Sequence, residues 1–417
     1  MEYTKLDNIQ FPRTKKDRKG NIIPIKTMWE NTKYLLDRLG ITVRLNLLTK
    51  DIEIRGKGFS ERSLDTAVVE IRGLLDLNGL TLSKNDTWDM IGRIAEENQY
   101  SPVRDYLRQC RKDWDGQDHI AELFKLFELD EEMKQNPAFC QKLLRKWLLS
   151  CVRVAFNNGD YAAQGLLILV GAQGIGKTRF LYTLLPCKEW GTDGVTLNPA
   201  VKDDVLKVMR FWLVELGELG ETMKRERLDR LKQFFTQSTD VLRKPYAQST
   251  QSYPRNTAFI GSVNGSGFLK DTTGDRRYWV IAVSKVHNDT DIDINQVWGQ
   301  LTYLAMEEQE PAYLDSEDIA ILEKANQQYK YISAEEQVLL DMLDWDAPIE
   351  DWREMTATQI CETLSINRSY IRRLGRALTS LAGKDKRIKA PRNHMRGRKY
   401  LVPPVKNDMP TYGSMGL

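Results

Sequence analysis

The spacing of apolar and polar positions changes character along the chain. From Lys26 to about Glu122, helix-period stretches (TMWENTKYLLDRLG, SERSLDTAVVEIRGLLDLNG, TWDMIGRIAEENQ) flank a short alternating piece, TVRLNLLTKDIEIRG, that predicts a hairpin. Asp113-Trp114-Asp115-Gly116 is a turn signal. A helical block from His119 to Phe156 follows, and its segment FCQKLLRKWLLSCVRVAF predicts an amphipathic helix that buttresses the next strand. From Ala162 to about Val283 the pattern turns to short apolar strands with polar connections, the alternation of a parallel sheet flanked by helices. A helical stretch, roughly Gln296 to Leu343, leads to a last module from about Glu354 to Pro404.

Charge matters here by its distribution. The 417 residues carry a formal net charge of +3 although 29% of them are charged, so the average conceals local basic surfaces. Residues 1–20 are polar and basic and predict a flexible arm, with Arg13, Lys15, Lys16, Arg18 and Lys19 either solvated or on DNA. The five cysteines are scattered and never spaced C-x-x-C, and there are three histidines, which argues against a disulfide framework, a zinc cluster or a His-built metal site. The N-terminus has no apolar segment of the signal-peptide kind, and the longest apolar run, Leu166 to Val170, is too short to span a bilayer. The expectation is a soluble, cytoplasmic protein without membrane contact.

The chemistry lies in the middle of the chain. Leu166 to Val170 is followed at once by Gly171-Ala172-Gln173-Gly174-Ile175-Gly176-Lys177-Thr178 and a helical stretch, RFLYTLLP. Strand, G-x-x-x-x-G-K-T and helix, in that order, denote a phosphate-binding P-loop. Gly171, Gly174, Ile175 and Gly176 let backbone N–H groups curl around phosphates, Lys177 reaches the outer ones, the Thr178 hydroxyl ligates magnesium, and Arg179 completes the cofactor-binding set. ATP and Mg2+ are the expected cofactors.

Downstream, the strand Phe211 to Leu216 supplies Glu215 as the acid on the magnesium side. Glu218 is the candidate base for the attacking water, since Gly217 lets the chain turn back; a plain surface glutamate is the competing reading. The strand Thr257 to Val263 ends in Asn264, which either presents an amide to the γ-phosphate or the attacking water or closes an ordinary turn before Gly265. Arg276 and Arg277, on a turn before the strand YWVIAV, are candidates to neutralise transition-state charge in their own or an adjacent subunit, or else form structural salt bridges. Asp240 to Tyr246, the polar turn AQSTQS and Tyr253-Pro254-Arg255 read as a hairpin whose tip is placed to reach nucleic acid.

In the last module, Thr356 to Leu364, the turn Ser365-Ile366-Asn367 and the helical RSYIRRLGRALTSL have helix-turn-helix spacing, and KRIKAPRNHMRGRKYLVPP reads as a basic wing. Arg368, Arg372, Arg373, Lys386, Arg396 and Arg398 belong to a cationic set facing Glu362 and Asp385 as its acids, which predicts salt-dependent contact with duplex DNA. A basic helix pair that docks a protein is the alternative.

Taken together, SPVRDYL with Trp114-Asp115-Gly116, GAQGIGKT, VELGEL, LKQFF, DVLRKPY, YPRNTAFIGSVN and LKDTTGDRRYW resemble, in order and spacing, the virulence-associated E family of phages and phage-like genomic islands, related to superfamily 3 helicases of the AAA+ type. The resemblance covers most of the chain. It implies a homo-hexameric ring around DNA, ATP sites between subunits, and a hairpin before Asn264 projecting into the channel, with Lys244 or neighbours such as Arg243 touching the DNA strand. By position it makes Glu215 the acidic motif, Asn264 the polar sensor, and Arg276, Arg277 or Arg243 the arginine acting in trans. The glutamates here stand three apart, whereas many AAA+ enzymes have adjacent acids, which leaves the base assignment open. Residues 1–160 hold no carboxylate motif for nucleotide polymerisation, so primer synthesis is not expected.

The implied fold class is α/β, a P-loop ATPase core of AAA+ type with an N-terminal α+β/helical domain and a C-terminal winged helix. The expected division is a basic arm (1–20), an N-terminal domain (21–118), a helical bridge (119–160), the core (161–295), a helical linker or lid (296–350), the winged helix (351–405) and a tail (406–417). The implied function is an ATP-driven DNA helicase or translocase that initiates replication of a mobile element, with single-stranded DNA in the channel, duplex origin on the winged helix, and host replication proteins as partners. The alternatives are a nucleotide-switched winged-helix regulator and a DNA-packaging or helicase-loading ATPase.

Overall fold

The apolar run Leu166–Val170 lies inside a six-stranded sheet. Its order is Phe127–Leu129, Tyr278–Val286, Leu166–Val170, Ala258–Val263, Leu213–Leu216, Gly191–Thr192. The last five strands are parallel, and Phe127–Leu129 is antiparallel to its neighbour. Numbered by sequence, the parallel strands run 5-1-4-3-2 across the sheet. All five residues of Leu166–Val170 are buried, as a strand covered on both faces requires. The computed structural model describes residues 5–217, 228–242, 250–269, 275–288, 291–385, 387–388, 392–394 and 397–406. The chain divides into two units, residues 1–328 and 329–417.

Helix Pro137–Ala155 packs on the sheet and fixes it through tryptophans. Trp147 Nε1 donates to the Phe259 carbonyl (2.8 Å), and Trp212 Nε1 donates to the Cys151 carbonyl (3.0 Å). Both indoles are buried, so these bonds satisfy donors that would otherwise be costly. The expected amphipathic character holds only for the first half of the helix. Trp147 to Val152 are six consecutive buried positions, more than a full turn, which leaves no solvent face there. The block from His119 to Phe156 is also not continuous helix. Ile120–Phe124 is helical, Phe127–Leu129 is the antiparallel edge strand, and Pro137 at the first helical turn opens the long helix.

The N-terminal part of the first unit carries a three-stranded sheet in the order Ile52–Arg55, Thr42–Asn46, Gln99–Tyr100. The first two strands form the predicted antiparallel pair. Helices Trp29–Arg38, Leu64–Leu77 and Lys84–Glu97 close a core that includes Leu35, Val68, Ile71, Leu75 and Ile91. Each such fully buried aliphatic side chain contributes about 1.5–3 kcal/mol. Ser83 and Asp86 form a capping box that starts the third helix. The segment expected to be a flexible arm is folded instead: Leu6, Ile9 and Phe11 pack on this core, and Thr14–Lys16 pairs with Ile22–Pro24.

The helical stretch after the large sheet is shared between the two units. Helix Ile294–Met306 packs on Pro102–Asp113 and Pro137–Ala155 in the first. Helix Ala334–Met342 joins the second, whose core contains Leu339, Leu343, Trp352, Ile360, Leu378 and Tyr400. This second unit has helices Ala357–Thr363 and Ile371–Lys384 and an antiparallel sheet in the order Arg353–Thr356, Gly397–Val402, Arg392–His394. Among the described residues, no helix is long and apolar enough to cross a membrane.

Candidate functional site

Three neighbouring parallel strands bring four side chains together at their carboxyl ends. Leu166–Val170 leads into Gly171–Thr178, Leu213–Leu216 carries Glu215, and Ala258–Val263 is followed by Asn264. The ammonium of Lys177 uses all three of its donors, on the carbonyls of Gly171 (2.7 Å) and Ala172 (2.7 Å) and on Asn264 Oδ1 (2.9 Å). The Thr178 hydroxyl donates to Glu215 Oε1 (2.9 Å). Lys177 is 8% exposed and Glu215 3%. Burial pulls the Lys177 pKa below its ordinary value, and the nearby Glu215 carboxylate works against that shift.

Glu215 is held from two sides. Its Oε2 accepts from the Gly194 N–H (3.3 Å), and its carbonyl accepts from the Val195 N–H (3.1 Å). The approach is so close that a Cβ at Gly217 would lie 2.9 Å from Gly194 Cα. Gly217 therefore serves this contact, a reason for glycine beyond the chain reversal expected from sequence. Gly176 sits at φ +101°, and a Cβ there would meet Asn288 Nδ2 at 2.4 Å and the Val286 carbonyl at 2.7 Å. Ile175 contributes its carbonyl, which accepts from the Val286 N–H (2.9 Å). Gly171 and Gly174 occupy the same loop, and Arg179 is exposed on helix Lys177–Thr183.

Sequence reading missed Asn288. Its amide donates to the carbonyls of Gly176 (3.0 Å) and Val286 (3.1 Å), and its Oδ1 accepts from Thr183 Oγ1 (3.3 Å). It thus ties the glycine loop and its helix to the end of strand Tyr278–Val286. An asparagine just past a strand is too common a signal for sequence alone to single out.

Arg276 and Arg277 stand apart from this cluster. Tyr278 is in register with Leu166 and Ala282 with Val170, so the two arginines enter at the end of the sheet opposite the glycine loop. Four residue steps at about 3.3 Å each put at least about 13 Å between them and the loop. Within one chain they do not reach Lys177. Glu218, Arg243 and Lys244 lie outside the described residues, as do Lys386 and Arg396. The arms of the hairpin between Glu215 and Asn264 are seen as Thr239–Leu242 paired with Gln251–Pro254. Beneath them the buried Arg255 donates its Nε to Asp240 (2.8 Å) and stacks 3.8 Å from the Phe234 ring centre.

The basic face of the second unit is more paired than its sequence suggests. Arg368 donates to Glu362 (2.8 Å), and Arg387 pairs with Asp385 while donating to the Trp345 carbonyl (3.0 Å). Arg373 approaches Glu335 at 3.7 Å, an acid from helix Ala334–Met342 that adds to the two expected. Arg372 on helix Ile371–Lys384 and Arg398 on strand Gly397–Val402 are exposed.

No curated protein matches the chain. Among solved structures, the apo C-terminal region of NrS-1 aligns with 91% of this chain and 99% of its own, at 15% identity and a TM-score of 0.41. The A form of the same region aligns with 90% and 98%, again at 15% identity and 0.41. Residues 107–331, more than half of the chain and the whole of the cluster around Lys177, match the virulence-associated protein E-like domain, and the chain belongs to that family.

Proposed function

We propose that this chain is an ATP-driven DNA helicase or translocase that initiates replication of a phage or phage-like mobile element. The observation that carries the reading is the convergence of Lys177, Thr178, Glu215 and Asn264 at the carboxyl ends of three adjacent parallel strands, where such sheets bind ligands. Membership in the virulence-associated protein E-like family supports it.

The donor set fits a nucleotide with its divalent cation. Magnesium is held through one or two carboxylates together with substrate phosphates, and Glu215 beside Thr178 offers one buried carboxylate and one hydroxyl. ATP with Mg2+ supplies the phosphoanhydride bond whose hydrolysis drives movement. Lys177 exchanges its two loop carbonyls for the outer phosphates. Thr178 and Glu215 hold the magnesium side, Asn264 stays beside Lys177 to orient the water, and Glu218 is the base in this reading. Asn288 keeps the loop in shape while these partners change.

In this reading Arg276 and Arg277, remote from their own glycine loop, act at the site of a neighbouring copy. The same reading takes the core as AAA+ in type and the assembly as a homo-hexameric ring with sites between subunits. In this reading Arg243 and Lys244 meet single-stranded DNA in the channel. The second unit acts as a winged helix on duplex origin DNA, with Arg368, Arg372, Arg373, Lys386, Arg396 and Arg398 on the phosphates, and host replication proteins are recruited to the opened strand. The test is magnesium-dependent phosphate release from ATP with single-stranded DNA present. Wild type is expected to turn over and Lys177→Ala to fall to background; undiminished release by the variant overturns the reading.

A further inference from the structure

The segment that composition marks as a flexible arm is an ordered ribbon. Thr14–Lys16 and Ile22–Pro24 run antiparallel, with Lys15 opposite Ile23 and Lys16 opposite Ile22. Strands this short do not hold together alone in water, and the chain fixes them at both ends. At the tip, Asp17 accepts from the N–H groups of Lys19 (2.8 Å) and Asn21 (2.9 Å) and from the Asn21 side chain (3.0 Å), while Gly20 adopts φ +83°. The Asn21 amide, more than any other group, keeps the Asp17 carboxyl below its usual range. At the base, fully buried Asn31 accepts from the Arg13 N–H (2.9 Å) and donates to the carbonyls of Arg13 (2.7 Å) and Ile25 (3.0 Å).

What the ribbon carries is charge. Lys15, Lys16, Arg18 and Lys19 are all exposed, and none has an ion pair among the described residues. Asp17, the acid among them, is occupied in closing the loop. Four like charges on a short ribbon repel one another, and a free tail would relieve the repulsion by spreading. The fold instead holds them in place and adds Ile22, 72% exposed, across from Lys16.

We propose that this ribbon docks on the phosphodiester backbone of nucleic acid, its four cations on phosphates and Ile22 against the groove. A two-stranded ribbon has the cross-section that the major groove of DNA admits, and contacts of this kind position a protein without reading sequence. The ribbon shares no residue with the glycine-loop cluster and its binding needs no ATP.

The experiment uses the full chain without nucleotide and follows fluorescence anisotropy of a labelled random duplex and of its single strand, over about 50–200 mM salt. Wild type is compared with the variant carrying Lys15→Gln, Lys16→Gln, Arg18→Gln and Lys19→Gln. The variant keeps its thermal unfolding midpoint, because the four side chains are exposed. Its affinity falls about tenfold or more at low salt. The slope of log affinity against log salt shrinks by up to about 3.6 on duplex and 2.8 on single strand, at about 0.9 and 0.7 per phosphate. The larger loss identifies which form of the backbone the ribbon prefers. Unchanged affinity and slope overturn the proposal. So does lost binding to anionic phospholipid vesicles with nucleic-acid binding intact, which would assign the ribbon to a membrane surface.

Discussion

Lys177 is 8% exposed and has every donor committed to Gly171, Ala172 and Asn264, whereas Arg368 leaves 77% of its side chain in water and meets one glutamate. The first region is a preorganised cluster in which each charge is desolvated and each hydrogen bond is strengthened by its surroundings. The second is a screened surface on which ion pairs contribute between zero and about 1 kcal/mol and exchange readily for phosphates. The difference teaches what each can do. A buried cluster suits chemistry on a bound group, because its partners are already aimed. An exposed set of loosely paired arginines suits reversible association governed by salt.

The comparison can be broken most severely at Asp240, 2% exposed and paired with Arg255 beneath the hairpin. Asp240→Ala leaves a guanidinium buried without its carboxylate, and urea unfolding should show a loss of about 3–5 kcal/mol. A loss under about 1 kcal/mol would mean that buried and exposed pairs here are alike. Next in size, Glu215→Gln should lower ATP turnover by about 100- to 1,000-fold, with nucleotide affinity in equilibrium binding little changed. A variant with wild-type turnover would remove Glu215 from the site.

On the exposed side, replacing Arg372 and Arg398 together by alanine should weaken duplex binding about tenfold and reduce the salt slope by about 1.8, without changing ATP turnover. A larger effect on turnover than on binding would erase the division between the two regions. The smallest effect is expected for Arg368→Ala. Thermal unfolding should stay close to wild type, as the exposed pair with Glu362 contributes little; a clear loss of stability would show that this surface is built more rigidly than its exposure indicates.

The glycine loop was legible because backbone geometry leaves little choice of residue. Gly176 at φ +101° tolerates no side chain, and the buried strand before it had to be a continuous apolar run. Glu215 and Asn264 could be placed because each stands at the end of a strand with a clear pattern. Phe127–Leu129 was hidden inside a helical block since three residues carry no readable period, and their pairing with Tyr278–Val286 is set by residues far along the chain. Helix Ala334–Met342 looked like part of a linker. Its allegiance to the second unit depends on Leu339 and Leu343 meeting Trp352 and Leu378, which periodicity does not encode. The ribbon at Thr14–Pro24 was masked by its charge: lysine and arginine suggested a solvated tail, while the loop closed by Asp17 and the anchor at Asn31 are tertiary facts.

The most direct test of the central claim is ATP-dependent displacement of a labelled strand from a forked duplex, with wild type and Lys177→Ala side by side in magnesium and low salt. The account predicts displacement by wild type and none by the variant. Hydrolysis by wild type without displacement would contradict a helicase and return the buried cluster to the role of a nucleotide switch or loader.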